Sequence, residues 1–156
     1  MDWYVKAFVK ASLTWLALGV TLGVAMAAYP AWIIYRPAHM HMVLLGFVTM
    51  MIFGVAYHVI PRFTGFPLHS RKAPGVHWFI SNAGLALMVV GFFVRPSSPM
   101  PGVPILAFGG SLAALGAYTF VYVIWRTING PRALQKPAQR AAAANGKTGL
   151  PVAGQK

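Results

Sequence analysis

Cysteine is absent from the 156-residue sequence, and Asp2 is its single carboxylate side chain. The first absence excludes a disulfide framework, thiolate zinc sites, iron–sulfur ligation and covalent c-type haem attachment, and it leaves the redox compartment unmarked by thiols. The second excludes paired acids for hydrolysis, an Asp or Glu nucleophile, and a carboxylate cage for calcium or magnesium. Charge of either sign is scarce, at 9% of residues, where an ordinary globular domain carries roughly a quarter. What fills the chain instead is apolar side chain, 58% of all residues. That balance is the composition of an integral membrane protein.

Four hydrophobic segments, residues 5–29, 39–60, 76–94 and 103–125, reach the length of about 20 residues that a helix needs to cross a bilayer. Lys6 and Lys10 open the first of them and invite a signal-peptide reading. Its apolar run, however, exceeds the roughly 7 to 15 residues of a signal core, so it is read as a helix. Pro30, Pro37, Pro61, Pro67, Pro74, Pro96, Pro99, Pro101 and Pro104 fall at the connections, where a missing N–H costs little. The expected fold is therefore all-α. It is a four-transmembrane-helix bundle over residues 1–128, followed by a basic, low-complexity tail over 129–156 that is expected to be disordered.

The net charge is +12, and its distribution matters more than its size. Lys6, Lys10, Arg62, Arg71, Lys72 and every basic residue from Arg126 onward share one side of this topology, leaving only Arg36 and Arg95 on the other. By the positive-inside rule both termini face the cytoplasm of a bacterial-type inner membrane. Topology and attraction to anionic lipid heads, about 1 kcal/mol per basic residue near the surface, account for the excess. The lipid bilayer is thus an expected partner, and nucleic acid is not.

The second segment, RPAHMHMVLLGFVTMMIFGVAYHVIPR over residues 36–62, carries His39 and His41 at its mouth and His58 near its far end. With Pro37 in the first turn, the paired histidines lie at the outer end of a helix and project roughly 200° apart. One small ion held by both is not expected, and each imidazole is free to serve a different partner. Haem b suits such histidines: a neutral imidazole supplies an axial ligand while apolar neighbours keep water from the iron. Gly46 follows His39 on nearly the same face, and Met50, Phe53 and Tyr57 continue it, a stripe able to wall a cofactor. The same stripe equally suits close helix packing, with Gly46 and Gly54 as the small contact residues. His58 lies about 25 Å further along the axis. It is expected near His77, at the cytoplasmic end. There the two either share a metal or second haem, or are interfacial residues bonded to water and lipid heads. His69 is expected to be solvated, and Trp32, Trp78 and Trp125 to act as interfacial anchors.

His39-x-His41, Gly46, Gly54, Tyr57, Pro61-Arg62, Leu68-x-Ser70 and His77-Trp78-Phe79 with Gly84 together resemble the tenth and eleventh helices of subunit I of the haem–copper oxidases. The flavour is that of the cbb3-type oxidases and their nitric oxide reductase relatives. The resemblance is tight over residues 36–92 and looser in the flanking segments, which would match the ninth and twelfth helices. It implies His39 as the ligand of a high-spin haem iron and His41 as the ligand of a low-spin one, with the pair opening its helix from the outer side. The implied role is electron transfer, or a haem-bearing part of a respiratory or nitric-oxide-handling assembly, with a c-type cytochrome or a quinol as donor.

Departures from the family pattern limit that role. Family subunits repeat a four-helix arc, and this sequence matches one arc. The opposing low-spin ligand, the copper-binding histidines and the proton-channel carboxylates have no counterparts, so one copy is not a complete oxidase. The second axial ligand is expected from another copy of the chain or from a partner membrane subunit. A distinct alternative is a Cu(I)-handling or oxidase-assembly protein using the His-Met-His-Met run, since thioether and imidazole suit that soft ion. A haem-free packing subunit that retains the motif is the third possibility.

Overall fold

The computed structural model describes residues 1–130 of the chain, so all but the start of the basic tail lies outside the described residues. Among these residues four helices are long and apolar enough to cross a membrane: α1 (Trp3–Ala28), α2 (Pro30–Thr64), α3 (Ala73–Val94) and α4 (Pro99–Ile128). In hydrocarbon no water completes the hydrogen bonds of a free N–H or C=O, so a spanning chain satisfies its backbone internally, as a helix does. Their exposed surface tells the same story. Only 17%, 28%, 33% and 22% of the most apolar stretch of α1 to α4 is buried within the chain. Leu18, Val24, Ile52, Val55, Phe79, Val90, Leu115 and Val121 stand exposed along the four helices. In water so much contiguous apolar surface would aggregate; in a bilayer it meets acyl chains.

Helix α2 is longer and less regular than the expected segment 39–60. It begins as a 3₁₀ turn over Pro30–Tyr35, continues as α-helix over Arg36–His41, becomes π-helical over Met42–Thr49, and returns to α-helix over Met50–Thr64. Pro30 and Pro37 sit in first turns, where an N–H has no acceptor to lose. Pro61 does not end the helix. It lies close enough to the terminus that the last turn runs on to Gly65, whose φ of 70° is the left-handed conformation that stops helices.

The closest helix pair is α3 with α4. Gly84 and Gly91 on α3, and Gly102, Gly109 and Gly116 on α4, recur every seven residues and face one another. A β-carbon on Gly109 would lie 2.6 Å from the amide nitrogen of Met88, and one on Gly84 would lie 2.6 Å from that of Ala113. The two backbones touch, which is how helices associate when no hydrophobic effect drives them together. The heptad spacing keeps that seam in register over several turns.

Helix α1 lays Tyr4, Val5, Phe8, Ser12, Gly19 and Leu22 inward. Gly54 of α2 admits Phe8, whose Cβ lies 2.9 Å from where a β-carbon would stand. The loop between α2 and α3 is tied to the end of α4: the backbone N–H of His69 donates to Thr127 Oγ1 at 3.1 Å, and Phe66 lies against Gly130. The start of α1, the end of α2, the start of α3 and the end of α4 therefore gather at one end of the bundle. With them come Arg62, Arg71, Lys72 and Arg126.

Gly109→Leu is expected to lower the thermal unfolding temperature in detergent, with a loss of about 1–3 kcal/mol or more from overpacking. The neighbouring Gly110 has nothing within 4 Å of a β-carbon. Gly110→Ala is expected to be neutral or to stabilise by up to about 1 kcal/mol. Equal destabilisation by the two changes would contradict the seam.

Candidate functional site

His39 turns toward α1. Its Nδ1 lies 2.8 Å from the carbonyl oxygen of Gly19, and its ring lies against Gly23, where a β-carbon would stand 2.9 Å from Cε1. His41 turns toward α3: its ring centroid is 4.9 Å from that of Phe92, and its Nδ1 lies 2.8 Å from the carbonyl oxygen of Pro37, one turn back. A carbonyl only accepts, so Nδ1 carries the proton in both rings. In the neutral imidazole Nε2 is then the nitrogen with the free lone pair. This is how a ligand histidine is held: one nitrogen fixed by a backbone carbonyl, the other left to bind. Both rings are half-buried. They face different helices, as their spacing predicts.

The rest of the expected cofactor wall is filled by protein. A β-carbon on Gly46 would lie 2.6 Å from Cβ of Trp15 and 2.9 Å from Leu85 Cδ2, so the glycine makes room for an indole. Met50 and Tyr57 are each 1% exposed and belong to the core with Phe8, Phe53 and Leu85. The π-helical stretch sets this register. A π turn takes more residues than an α turn, and the inward positions Met42, Gly46 and Met50 are spaced by four before Phe53, Gly54 and Tyr57 resume the tighter rhythm.

At the opposite end, His77 departs from its expected interfacial place. It is fully buried, enclosed by the rings of Phe8, Phe53, Tyr57 and Phe120, with centroid distances from 4.6 to 5.9 Å. Its Nδ1 shares a hydrogen bond of 2.9 Å with the Tyr57 hydroxyl, and its Nε2 has no partner among the described residues. His58 instead pairs with Arg62, whose guanidinium lies 3.0 Å from its Nδ1. The two histidines thus have separate surroundings, one in the core and one at its margin. His69 is exposed, 5.7 Å from the ring of Tyr122. Trp32 and Trp125 are exposed near helix ends, whereas Trp78 buries its Nε1 without a partner. Among the described residues no three His, Cys, Asp or Glu side chains gather around a common point.

Trp15 and Asn82 escaped the reading of the sequence. Trp15 Nε1 donates to Asn82 Oδ1 at 3.1 Å, and Asn82 Nδ2 donates to the carbonyl oxygen of Trp78 at 2.8 Å, joining α1 to α3 beside Gly46. The available signal was Asn82 itself, a side-chain amide in the middle of an apolar run.

The chain is similar to a subunit of a cbb3-type cytochrome c oxidase. That relative is cbb3-type cytochrome c oxidase subunit CcoN1 of Stutzerimonas stutzeri, 25% identical over 145 residues. The match covers 77% of this chain and 29% of the relative, so the chain spans less than a third of the length of the protein it resembles. No protein-family model matches the chain. Four apolar helices and this similarity describe an oxidase-like, multi-pass membrane protein.

Tyr57→Phe removes the partner of His77 Nδ1 inside an apolar cage and is expected to cost about 1–3 kcal/mol. Combining it with His77→Leu, which removes both polar groups, is expected to recover much of the lost unfolding temperature. A double variant less stable than Tyr57→Phe would show that the imidazole is held by more than this bond.

Proposed function

We propose that the chain is a haem b-bearing component of a bacterial inner-membrane assembly, acting in electron transfer within a respiratory or nitric-oxide-handling complex, with His39 and His41 as axial ligands. The observation that carries the proposal is the pair of Nδ1 contacts to backbone carbonyls, both 2.8 Å, which direct the lone pair of each ring to Nε2. The apolar surroundings suit a porphyrin, and the similarity to an oxidase subunit supports the same group. Bound haem supplies a one-electron couple whose potential follows from its axial ligands and the exclusion of water.

The remaining histidines do not complete either iron. His58 is engaged by Arg62, His77 by Tyr57, and His69 lies with Tyr122 in the cluster at the opposite end. With Gly46 closed by Trp15, a ring held by either imidazole would have to lie toward the outer surface of the bundle. A further ligand to either iron would then come from another copy of this chain or from a partner membrane subunit. Electrons would reach such a centre from a c-type cytochrome or a quinol. The basic end of the bundle, with the start of α1 and the end of α4, faces the cytoplasm, and Arg36 and Arg95 mark the outer side.

The copper reading is disfavoured by the placement of its donors. Met42 is buried, at 6% exposure, while Met40 is exposed and the two imidazoles turn to α1 and α3. Four donors so dispersed do not converge on one ion.

Purified protein is expected to show sharp reduced α and Soret bands. Each of His39→Ala and His41→Ala is expected to lower the haem content, and the double variant to abolish it. On size separation the haem should elute with an oligomer or a larger complex. Colourless material after expression with ample haem would sink the proposal, as would copper in stoichiometric amount without these bands.

A further inference from the structure

The basic end of the bundle holds a groove of about 470 Å³ between the start of α1 and the start of α3, lined by Trp3, Arg71, Lys72, Gly75, Val76 and Phe79. Gly75 lets the Trp3 indole lie directly on the α3 backbone, 2.8 Å from where a β-carbon would stand. Val76 and Phe79 turn outward along one wall, Phe79 with 67% of its surface exposed. Phe79 stands two helical turns beyond Lys72, about 10 Å deeper along the axis. The mouth is cationic and the depth is apolar.

Neither cation is in ion-pair contact with a carboxylate among the described residues. Asp2, the chain's single acidic side chain, accepts a hydrogen bond from the Tyr4 hydroxyl at 3.0 Å and lines a neighbouring groove with Arg62 and Arg71, without an ion-pair contact to either. The first turn of α3 has already used its amides: Ala73 N–H donates to Ser70 Oγ, and the N–H groups of Gly75 and Val76 donate to the carbonyl of Lys72. Recognition of an anion at this mouth therefore rests on the guanidinium of Arg71 and the ammonium of Lys72. Guanidinium binds a phosphate diester through paired N–H donors, and an ammonium adds a point charge.

We propose that this groove binds one anionic phospholipid. Arg71 and Lys72 engage the phosphodiester, and an acyl chain follows Val76 and Phe79 into the bilayer. A free phosphate would use the mouth and leave the aromatic wall without a partner. A zwitterionic lipid would bring its own cation to a doubly cationic mouth. Arg36 and Arg95 lie exposed at the opposite end of the bundle and provide a charge-matched comparison.

Native mass spectrometry of the full chain tests the site, with phosphatidylglycerol, phosphatidylcholine and inorganic phosphate offered in turn. The wild-type chain is expected to retain one phosphatidylglycerol through delipidation. Arg71→Ala with Lys72→Ala is expected to weaken that retention roughly tenfold or more, while Arg36→Ala with Arg95→Ala leaves it unchanged. Phe79→Ala keeps both cations and is expected to weaken retention as well, which separates the groove from charge alone. Equal retention of phosphatidylcholine overturns the proposal. So does unchanged retention in the Arg71 and Lys72 variant, or displacement of the lipid by inorganic phosphate.

Discussion

Direct contact between the backbones of α3 and α4 is the constraint on which the rest of the bundle depends. Two helices in hydrocarbon gain nothing from expelling water, because lipid tails are as apolar as their own side chains. They gain from dispersion and close fit, and Gly84, Gly91, Gly102, Gly109 and Gly116 let two main chains meet along a seven-residue repeat. The same repeat places His77 one heptad before Gly84. At that level α4 presents Phe120, 5.9 Å from the imidazole by ring centroids. The aromatic cage around His77 and Tyr57 is thus a consequence of the glycine seam as much as of the aromatic residues themselves.

Most polar groups in the bundle follow a second rule, that a donor in an apolar medium finds an acceptor, with His77 Nε2, Trp78 Nε1 and Ser81 Oγ the buried exceptions among the described residues. Trp15 finds Asn82, Tyr57 finds His77, and the two outer histidines find backbone carbonyls. The last case differs in what it leaves over. Tyr57 meets one nitrogen of His77 and leaves the other enclosed in the core, but His39 and His41 each spend one nitrogen on the fold and keep the other at a half-buried surface. Their fold role and their proposed ligand role use opposite edges of the same ring.

The sequence made the membrane character and the four spans legible, because hydrophobicity sustained over about 20 residues has few other meanings. It also made the divergence of His39 and His41 legible, because helical phase alone sets it. The role of Gly46 was not decided in the same way. A glycine one or two turns from a histidine leaves a space, and only the neighbouring helix shows whether the space is kept or filled; here Trp15 fills it. Segment position likewise put His77 near the start of α3 but said nothing of which side faced inward. The seven-residue glycine spacing across two segments was present in the sequence as well, and it carried that information unread.

Composition and hydrophobic length, both properties of single segments, determined that this chain is a bundle of membrane helices with its charge gathered at one end. Tertiary structure alone decided which stripe of each helix meets protein and which meets lipid. A span that is apolar on every side carries little contrast between its faces, so its orientation follows from shape: where a glycine lets a neighbour approach, and where a π-helical stretch turns the register. The fates of Gly46, Met50, Tyr57 and His77 were settled by that fit between helices, which no segment specifies by itself.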